Sequence, residues 1–396
     1  MVNGRDGDLV EAMRFEFATA SRIVFGEGAA GEAAQAAAAM GRRALLVTGE
    51  RADRAAPIAR ALEAAGVTTA PFRVSGEPAI ETIAAGTIYA RGEGCDLVVA
   101  VGGGSAIDAG KALASMLTNP GEPLDYLEVV GRGQALRRPS APFIAIPTTA
   151  GTGSEVTRNA VLAAHGRGVK ASLRSPYLLP RMAVVDPELT LDLPPALTAS
   201  TGLDALTQLI EPYVSIRANA MTDLYAVEGL RTAGASLARA WANGGDREAR
   251  RGMCWASLLG GLSLANAGLG AVHGFAAPVG GMFPAPHGAV CAALLGPAIT
   301  INVEALRQRA PESRALGRYD EVARLLTAKP HATAADGIEW IAALCRRFEI
   351  PPLRVYGVTA AHIPALASRA AEANSMKANP IKLTREELEE IIGRAI

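Results

Sequence analysis

Two textures of hydrophobic and polar positions divide this chain. From residue 14 to about residue 195, short apolar runs alternate with Ala-rich stretches of helical period, the alternation expected of parallel strands joined by crossover helices. RRALLVT, TTAPFRV, CDLVVAV, PFIAIP and MAVVDP are the expected strands. Between them, DRAAPIARALEAAG and IETIAAGTIYARGEG carry helix-period apolar positions, each closing near a glycine suited to a helix C-terminus. This half predicts a doubly wound α/β domain. After DPELTLDLPPALTAS the strand-like runs stop, and stretches such as TDLYAVEGLRTAGASLARAWANG and REARRGMCWASLLGGLSLANAGLG predict an all-α second half. Pro194 and Pro195 mark the boundary, because proline interrupts regular structure and stiffens a connection. The expected units are therefore 14–195 and 196–396, preceded by a polar, loosely ordered extension over 1–13.

Composition narrows the function classes. With 396 residues, 49% hydrophobic and 20% charged, the chain is long enough for two packed cores. Lys plus Arg and Asp plus Glu are both 39, and neither sign forms a long run, so nothing here recruits nucleic acid or an anionic membrane. No signal peptide and no uninterrupted apolar span of about 18 residues is read from the sequence, so a cytoplasmic protein is expected. Cys95, Cys254, Cys291 and Cys345 are scattered without a CxxC pair and are expected to be reduced, structural thiols.

Two loops carry the first chemistry. In CDLVVAVGGGSAIDAGKAL a buried strand runs into Gly102, Gly103, Gly104 and Ser105 before a helix begins. Glycines there let backbone approach a ligand, and free amides at a helix start favour a phosphate. The wording matches neither GxGxxG nor the Walker pattern, and a purely structural turn is the plain alternative. PFIAIPTTAGTGSEVTRNAV repeats the arrangement: a strand ends in Thr148, Thr149, Gly151, Thr152, Gly153 and Ser154. Two such loops at the carboxyl ends of strands in one sheet suit a dinucleotide.

The helical half supplies a second constellation. TGLDALTQLIEPY sets Asp204 and Gln208 four positions apart on one helix face, although the second position offers a neutral amide where an imidazole would be the better donor. In GAVHGFAAPVGGMFPAPHGAVCAAL, His273 and His287 lie fourteen positions apart across a Gly/Pro turn. A lone histidine is more often a core residue than a ligand. Two histidines with Asp204 make a set suited to iron or zinc, with positions left open for water or substrate. His165, His331 and His362 lie in polar segments, with no specific role expected.

GGGSAIDAGKA, PTTAGTGSEVTRNAV, TGLDALTQLIEPYVS and AVHGFAAPVGGMFPAPHG together resemble the iron-containing alcohol dehydrogenases over nearly the whole chain. Lactaldehyde reductases, glycerol dehydrogenases and maleylacetate reductases are relatives of that family. The resemblance implies a dinucleotide-binding domain, a helical domain, and a cleft in which hydride moves between the nicotinamide of NAD(P) and a small metal-bound alcohol or aldehyde. It implies that Gly103, Gly104 and Ser105 bind the pyrophosphate, with Gly102 and Asp108 in the same cofactor site. Thr148, Thr149 and Thr152 would line the nicotinamide side, and Lys170 would lie near the nicotinamide ribose. The four family ligands of a divalent ion, Fe2+ or Zn2+, fall on Asp204, Gln208, His273 and His287; Lys170, His273 and His287 are the expected catalytic residues.

This chain departs from the family pattern at three places. Gln208 replaces one ligand histidine, Ala277 replaces a histidine associated with proton transfer, and Gly49 stands where members preferring NAD often carry an aspartate. Glycine at 49 removes a repulsion toward the 2'-phosphate of NADP, and Arg51 could pair with it, while an inward Glu50 would oppose it. The rival expectation is a metal-independent site like that of maleylacetate reductases, with Arg158 and Lys170 holding a carboxylated keto substrate. A lyase resembling dehydroquinate synthase and a non-catalytic dinucleotide-binding module are the remaining alternatives. A homodimer is expected by analogy.

Overall fold

The computed structural model describes residues 14–396 apart from 165 and 167, so the expected extension over 1–13 and the reading of His165 lie outside the described residues. The first half runs β1 (Ile23–Phe25), α1 (Glu32–Met40), β2 (Arg43–Thr48), α2 (Ala56–Ala64), β3 (Thr68–Arg73), α3 (Ile80–Gly92), β4 (Leu97–Gly102), α4 (Gly104–Thr118), the single turn α5 (Pro123–Tyr126), β5 (Phe143–Pro147), β6 (Asn159–Ala164), β7 (Val169–Arg174) and β8 (Met182–Val185). Six of these strands form one sheet in the order β1-β8-β5-β4-β2-β3, with every adjacent pair parallel. The central strands β4 and β5 are buried at every position, because helices cover both faces and leave nothing to alternate. At the edge, β3 is half exposed and tolerates Pro71, whose missing N–H an interior strand could not spare.

All five strands expected from the sequence are present. Three were not anticipated: the three-residue β1, and the antiparallel pair β6–β7, a separate two-stranded sheet.

After β8 the described residues are helical: α6 (Pro195–Val214), α7 (Ala220–Ala242), α8 (Arg247–Ala267), α9 (Ala271–Met282), α10 (His287–Arg309), α11 (Arg314–Thr327), α12 (Ala334–Arg347), α13 (Ile363–Glu372) and α14 (Arg385–Ala395). Short side chains at the crossings bring these helices unusually close. A Cβ on Gly202 would lie 2.2 Å from Leu237, one on Gly229 would lie 2.3 Å from Leu209, and one on Gly288 would lie 2.6 Å from the carbonyl of Ser200. The last contact seats the start of α10 against α6, and it fixes where His287 stands relative to Asp204. By length and composition α10 could cross a membrane, yet most of its apolar window is buried among neighbouring helices.

Candidate functional site

The chain leaves β2 toward β3 on one side and leaves β4 toward β5 on the other, so the strand order reverses between β2 and β4. In an open α/β sheet, the crevice at the carboxyl ends of such strands is where ligands bind. Gly49 follows β2 and Gly102 ends β4, and a Cβ on Gly102 would sit 3.4 Å from the Gly49 amide and 2.6 Å from the Ala106 methyl. Gly103 then takes the cap position of α4 with no side-chain cap, and no acidic residue occupies the first turn. The first amides of α4 are thus left to an anion. The second loop closes over this turn: a Cβ on Gly104 would lie 2.7 Å from the Thr152 methyl, one on Gly103 would lie 3.4 Å from Thr149, and the Thr148 amide donates to the Gly102 carbonyl at 2.9 Å.

That second loop also joins the two halves. Gly151 packs on Thr201 of α6, and Gly153, held at φ +57°, faces Gly261 of α8, whose Cα a Cβ would meet at 2.5 Å. Asp204 lies three residues beyond Thr201, so the nucleotide loop and the donor-bearing helix are in direct contact.

Asp108 and Lys170 are less free than the resemblance implied. Asp108 accepts the Val161 amide at 3.0 Å, anchoring β6 to α4, and it lies 3.6 Å from the buried ammonium of Lys111. Its other oxygen, Oδ1, is buried without a hydrogen-bond partner. Burial pushes the Asp108 carboxyl up and the Lys111 ammonium down. Lys111 donates to Thr157 Oγ1 and to the Asn159 carbonyl, both at 2.8 Å, and nearby Glu155 is pushed by burial to about 7. The ammonium of Lys170, on β7, lies against Gly280 of α9 and is held by Glu77. Arg158 pairs with exposed Glu16 at 3.3 Å.

In the helical half, three helices deliver a compact donor cluster. Asp204 comes from α6, His273 from α9, and His287 and Cys291 from the first turns of α10. One ligand atom from each lies within 4.8 Å of all the others. Asp204 Oδ1 is 3.4 Å from His273 Nε2 and 3.6 Å from His287 Nε2, and it is buried with no hydrogen-bond partner. Gln208, one turn after Asp204 on α6, likewise buries an unpartnered Oε1. Gly260 of α8 packs against this turn, where a Cβ would lie 3.3 Å from the Gln208 Cβ. Orphaned acceptors of this kind are rare in folded proteins and ask for a cation or a water.

Glu211 sets the orientation of His273, and it escaped the sequence reading. Its Oε2 accepts the proton of His273 Nδ1 at 2.7 Å, while Oε1 accepts the Val272 amide at 2.7 Å in the first turn of α9. A carboxylate only accepts, so Nδ1 carries a proton and Nε2 is the nitrogen that faces the cluster, where it can donate to a metal in the neutral ring. A hint was present: Glu211 stands seven residues after Asp204, two turns along the same helix face.

The electrostatics favour positive charge in this cluster. Burial opposes protonation of both imidazoles, but the Cys291 sulfur and the Asp204 carboxylate outweigh it, joined at His273 by Glu211, raising His273 well above its usual value and His287 to about 8. Burial alone would raise the Asp204 carboxyl; His287 and His273 instead hold it below the usual carboxylate range. The set therefore collects cations, and the donor types suit a divalent metal. Cys291, expected to be an ordinary structural thiol, is part of the cluster. Cys254 is ordinary by contrast: burial pushes its thiol to about 12, and its neighbour is Thr190.

Comparison with known proteins identifies the family. The model of the iron-containing alcohol dehydrogenase family matches residues 20–187, and that of the family's C-terminal domain matches residues 198–396. Alcohol dehydrogenase 4 of Schizosaccharomyces pombe is 38% identical over 324 residues, covering 82% of this chain and 74% of that protein. The crystal structure of a 1,3-propanediol oxidoreductase superposes with a TM-score of 0.89 at 33% identity, covering 97% of this chain and 100% of that one. Sulfoacetaldehyde reductase from Bifidobacterium kashiwanohense, in complex with NAD+, superposes with a TM-score of 0.85 at 31% identity, covering 97% and 99%. With a glycine crevice at the sheet reversal and a three-helix donor cluster beside it, the chain belongs to the iron-containing alcohol dehydrogenase family.

Proposed function

We propose that this oxidoreductase moves hydride between NAD(P) and a small aliphatic or hydroxylated alcohol or aldehyde, using a divalent ion held by Asp204, His273 and His287. The observation that carries the metal is Asp204 Oδ1, a buried carboxylate oxygen without a hydrogen-bond partner that faces two imidazole nitrogens at 3.4 and 3.6 Å. A carboxylate oxygen facing two imidazole nitrogens draws positive charge into the space between them, and a divalent ion supplies it while displacing the protons the imidazoles would otherwise hold. A divalent ion there would act as a Lewis acid on the carbonyl oxygen and, in reverse, lower the pKa of the alcohol.

The chain's own residues do the rest. The first amides of α4, from Gly104 and Ser105, bind the pyrophosphate, with Gly102 and Gly103 allowing the approach, while Thr148, Thr149 and Thr152 fix the nicotinamide end. Glu211 holds His273 in one tautomer. Ala277 has no proton to relay, so water or a ribose hydroxyl connects the site to solvent. Lys170 is available to the ribose by exchanging its contact with Glu77.

A metal-free grip on a substrate carboxylate is less well supported, because it leaves the buried Asp204 Oδ1 without a partner. For coenzyme choice we favour dual use. Arg51 hydrogen-bonds Asp53 at 2.9 and 2.8 Å, but the pair is largely exposed and can be exchanged for a 2'-phosphate at little cost. We place the enzyme in the cytoplasm as a homodimer, which light scattering of purified protein tests.

Elemental analysis paired with activity before and after chelation tests the central claim. Near one equivalent of metal, activity lost on its removal and regained on its return are expected. Full NAD(P)H consumption with aldehydes by metal-free protein would overturn it.

A further inference from the structure

We infer that Cys291 supplies the fourth donor of the metal centre, filling through its thiolate the place left by the missing imidazole at position 208, and that the centre consequently prefers zinc to iron. This rests on the metal-binding reading above and goes beyond it in naming the donor and the ion.

Geometry carries the inference. Cys291 Sγ lies 3.6 Å from His287 Nε2 and 3.9 Å from His273 Nε2, and these nitrogens lie 3.6 and 3.4 Å from Asp204 Oδ1. Tetrahedral zinc, with bonds of about 2.0–2.1 Å to nitrogen, about 2.0–2.2 Å to oxygen and about 2.3 Å to sulfur, sets nitrogen–oxygen edges near ~3.4 Å and nitrogen–sulfur edges near ~3.6 Å. The four nitrogen–oxygen and nitrogen–sulfur edges thus match those of such a site to within about 0.3 Å, and the remaining two pairs lie within 4.8 Å. Cys291 is fully buried, Asp204 is 1% exposed and His273 is 7% exposed, so three of the four donors have little water to turn to. The unpartnered Asp204 Oδ1 is the independent sign that the space between them takes a cation.

The helices explain how the exchange works. Asp204 and Gln208 are one turn apart on α6, and His287 and Cys291 are one turn apart on α10, so each helix presents two positions to the same centre. An amide oxygen is a neutral, weak donor; a thiolate is charged and soft. On metal binding the Cys291 S–H bond gives its proton to solvent as the sulfur–metal bond forms. Thiolate in the set favours zinc, whereas oxygen and imidazole alone leave iron competitive. Gln208, released from ligation, keeps its free Oε1 as an acceptor beside the centre.

Absorption spectroscopy of apo-protein titrated with Co(II) tests this without turnover. The wild-type protein and Cys254→Ser are expected to bind one cobalt and to show an intense near-ultraviolet thiolate-to-cobalt charge-transfer band together with visible ligand-field bands. Cys291→Ser and Cys291→Ala should keep the ligand-field bands, lose the charge-transfer band, and bind zinc at least about tenfold more weakly in competition with a chromophoric chelator. Ligand-field bands without charge transfer in the wild-type protein would overturn the thiolate donor while leaving the Asp204, His273 and His287 site standing. Failure of the wild-type protein to bind cobalt or zinc would overturn both. The wild-type spectrum decides the matter even if neither Cys291 variant folds.

Discussion

Gly102 fits against the Ala106 methyl and beside the Gly49 amide because it has no side chain, whereas Asp204, His273, His287 and Cys291 meet because each has one. The dinucleotide crevice is a backbone construction at the strand reversal, and what it needs from the sequence is absence: no Cβ at the turn and no carboxylate in the first turn of α4. The donor cluster is assembled from three helices whose positions depend on crossings elsewhere, such as Gly288 against Ser200. Substitution in the first centre is therefore a steric event, and in the second a chemical one. That difference explains how the second can exchange one donor type for another while the first keeps its glycines.

The largest expected effect breaks the two centres apart. His273→Ala should lower kcat/KM by about a thousandfold or more, since a Lewis acid contributes several kcal/mol to the transition state. Metal content should fall with it, while NADH affinity by fluorescence titration changes little. Loss of coenzyme binding in this variant would mean that the centres are not separable.

Glu155 sharpens the contrast as a buried charge in the backbone-built half. Its carboxyl, raised by burial from 4.5 to about 7, binds a proton in the folded state that the unfolded chain has already released. Stability should therefore be greatest below about pH 4.5 as far as this group is concerned, fall as pH rises toward 7, and level off above. Glu155→Gln should remove that slope and stabilise the protein by about 3 kcal/mol at pH 8, read from urea unfolding at several pH values. An unchanged slope would mean that Lys111 keeps Glu155 ionised throughout.

Gly153→Ala tests the seam between the halves. A methyl there must adopt φ +57° and displace the Gly261 backbone, costing about 2 kcal/mol, visible as a lower Tm with metal content retained. Smallest is Glu211→Gln, expected to weaken metal binding about 10–100-fold without disturbing α9, since an amide still accepts from the Val272 amide. A fall in Tm larger than that of Gly153→Ala would show that Glu211 serves chiefly as a cap.

Most of the sheet was legible because the central strands are apolar at every position and end in glycine or in small hydroxyl residues. β1 was too short to leave a period. β6 and β7 were missed because NAVLAA and VKASLR are rich in alanine, serine and lysine, residues that do not announce a strand. Asp204, His273 and His287 were legible as residue types in a familiar order. Glu211 and Cys291 were not, although each sits at a helix spacing from a recognised donor, because a glutamate or cysteine inside an apolar helix looks the same whether it faces a metal or a neighbour.

The order of residues alone determined the two halves, the glycine turns and three of the donors, since each of these rests on spacing along one element. Which oxygen was left without a partner, which histidine nitrogen faced inward and which thiol completed the set were decided only in the folded chain. Those properties depend on distances between helices far apart in sequence, and such distances follow from packing at positions, such as Gly260 and Gly288, that carry no chemistry of their own.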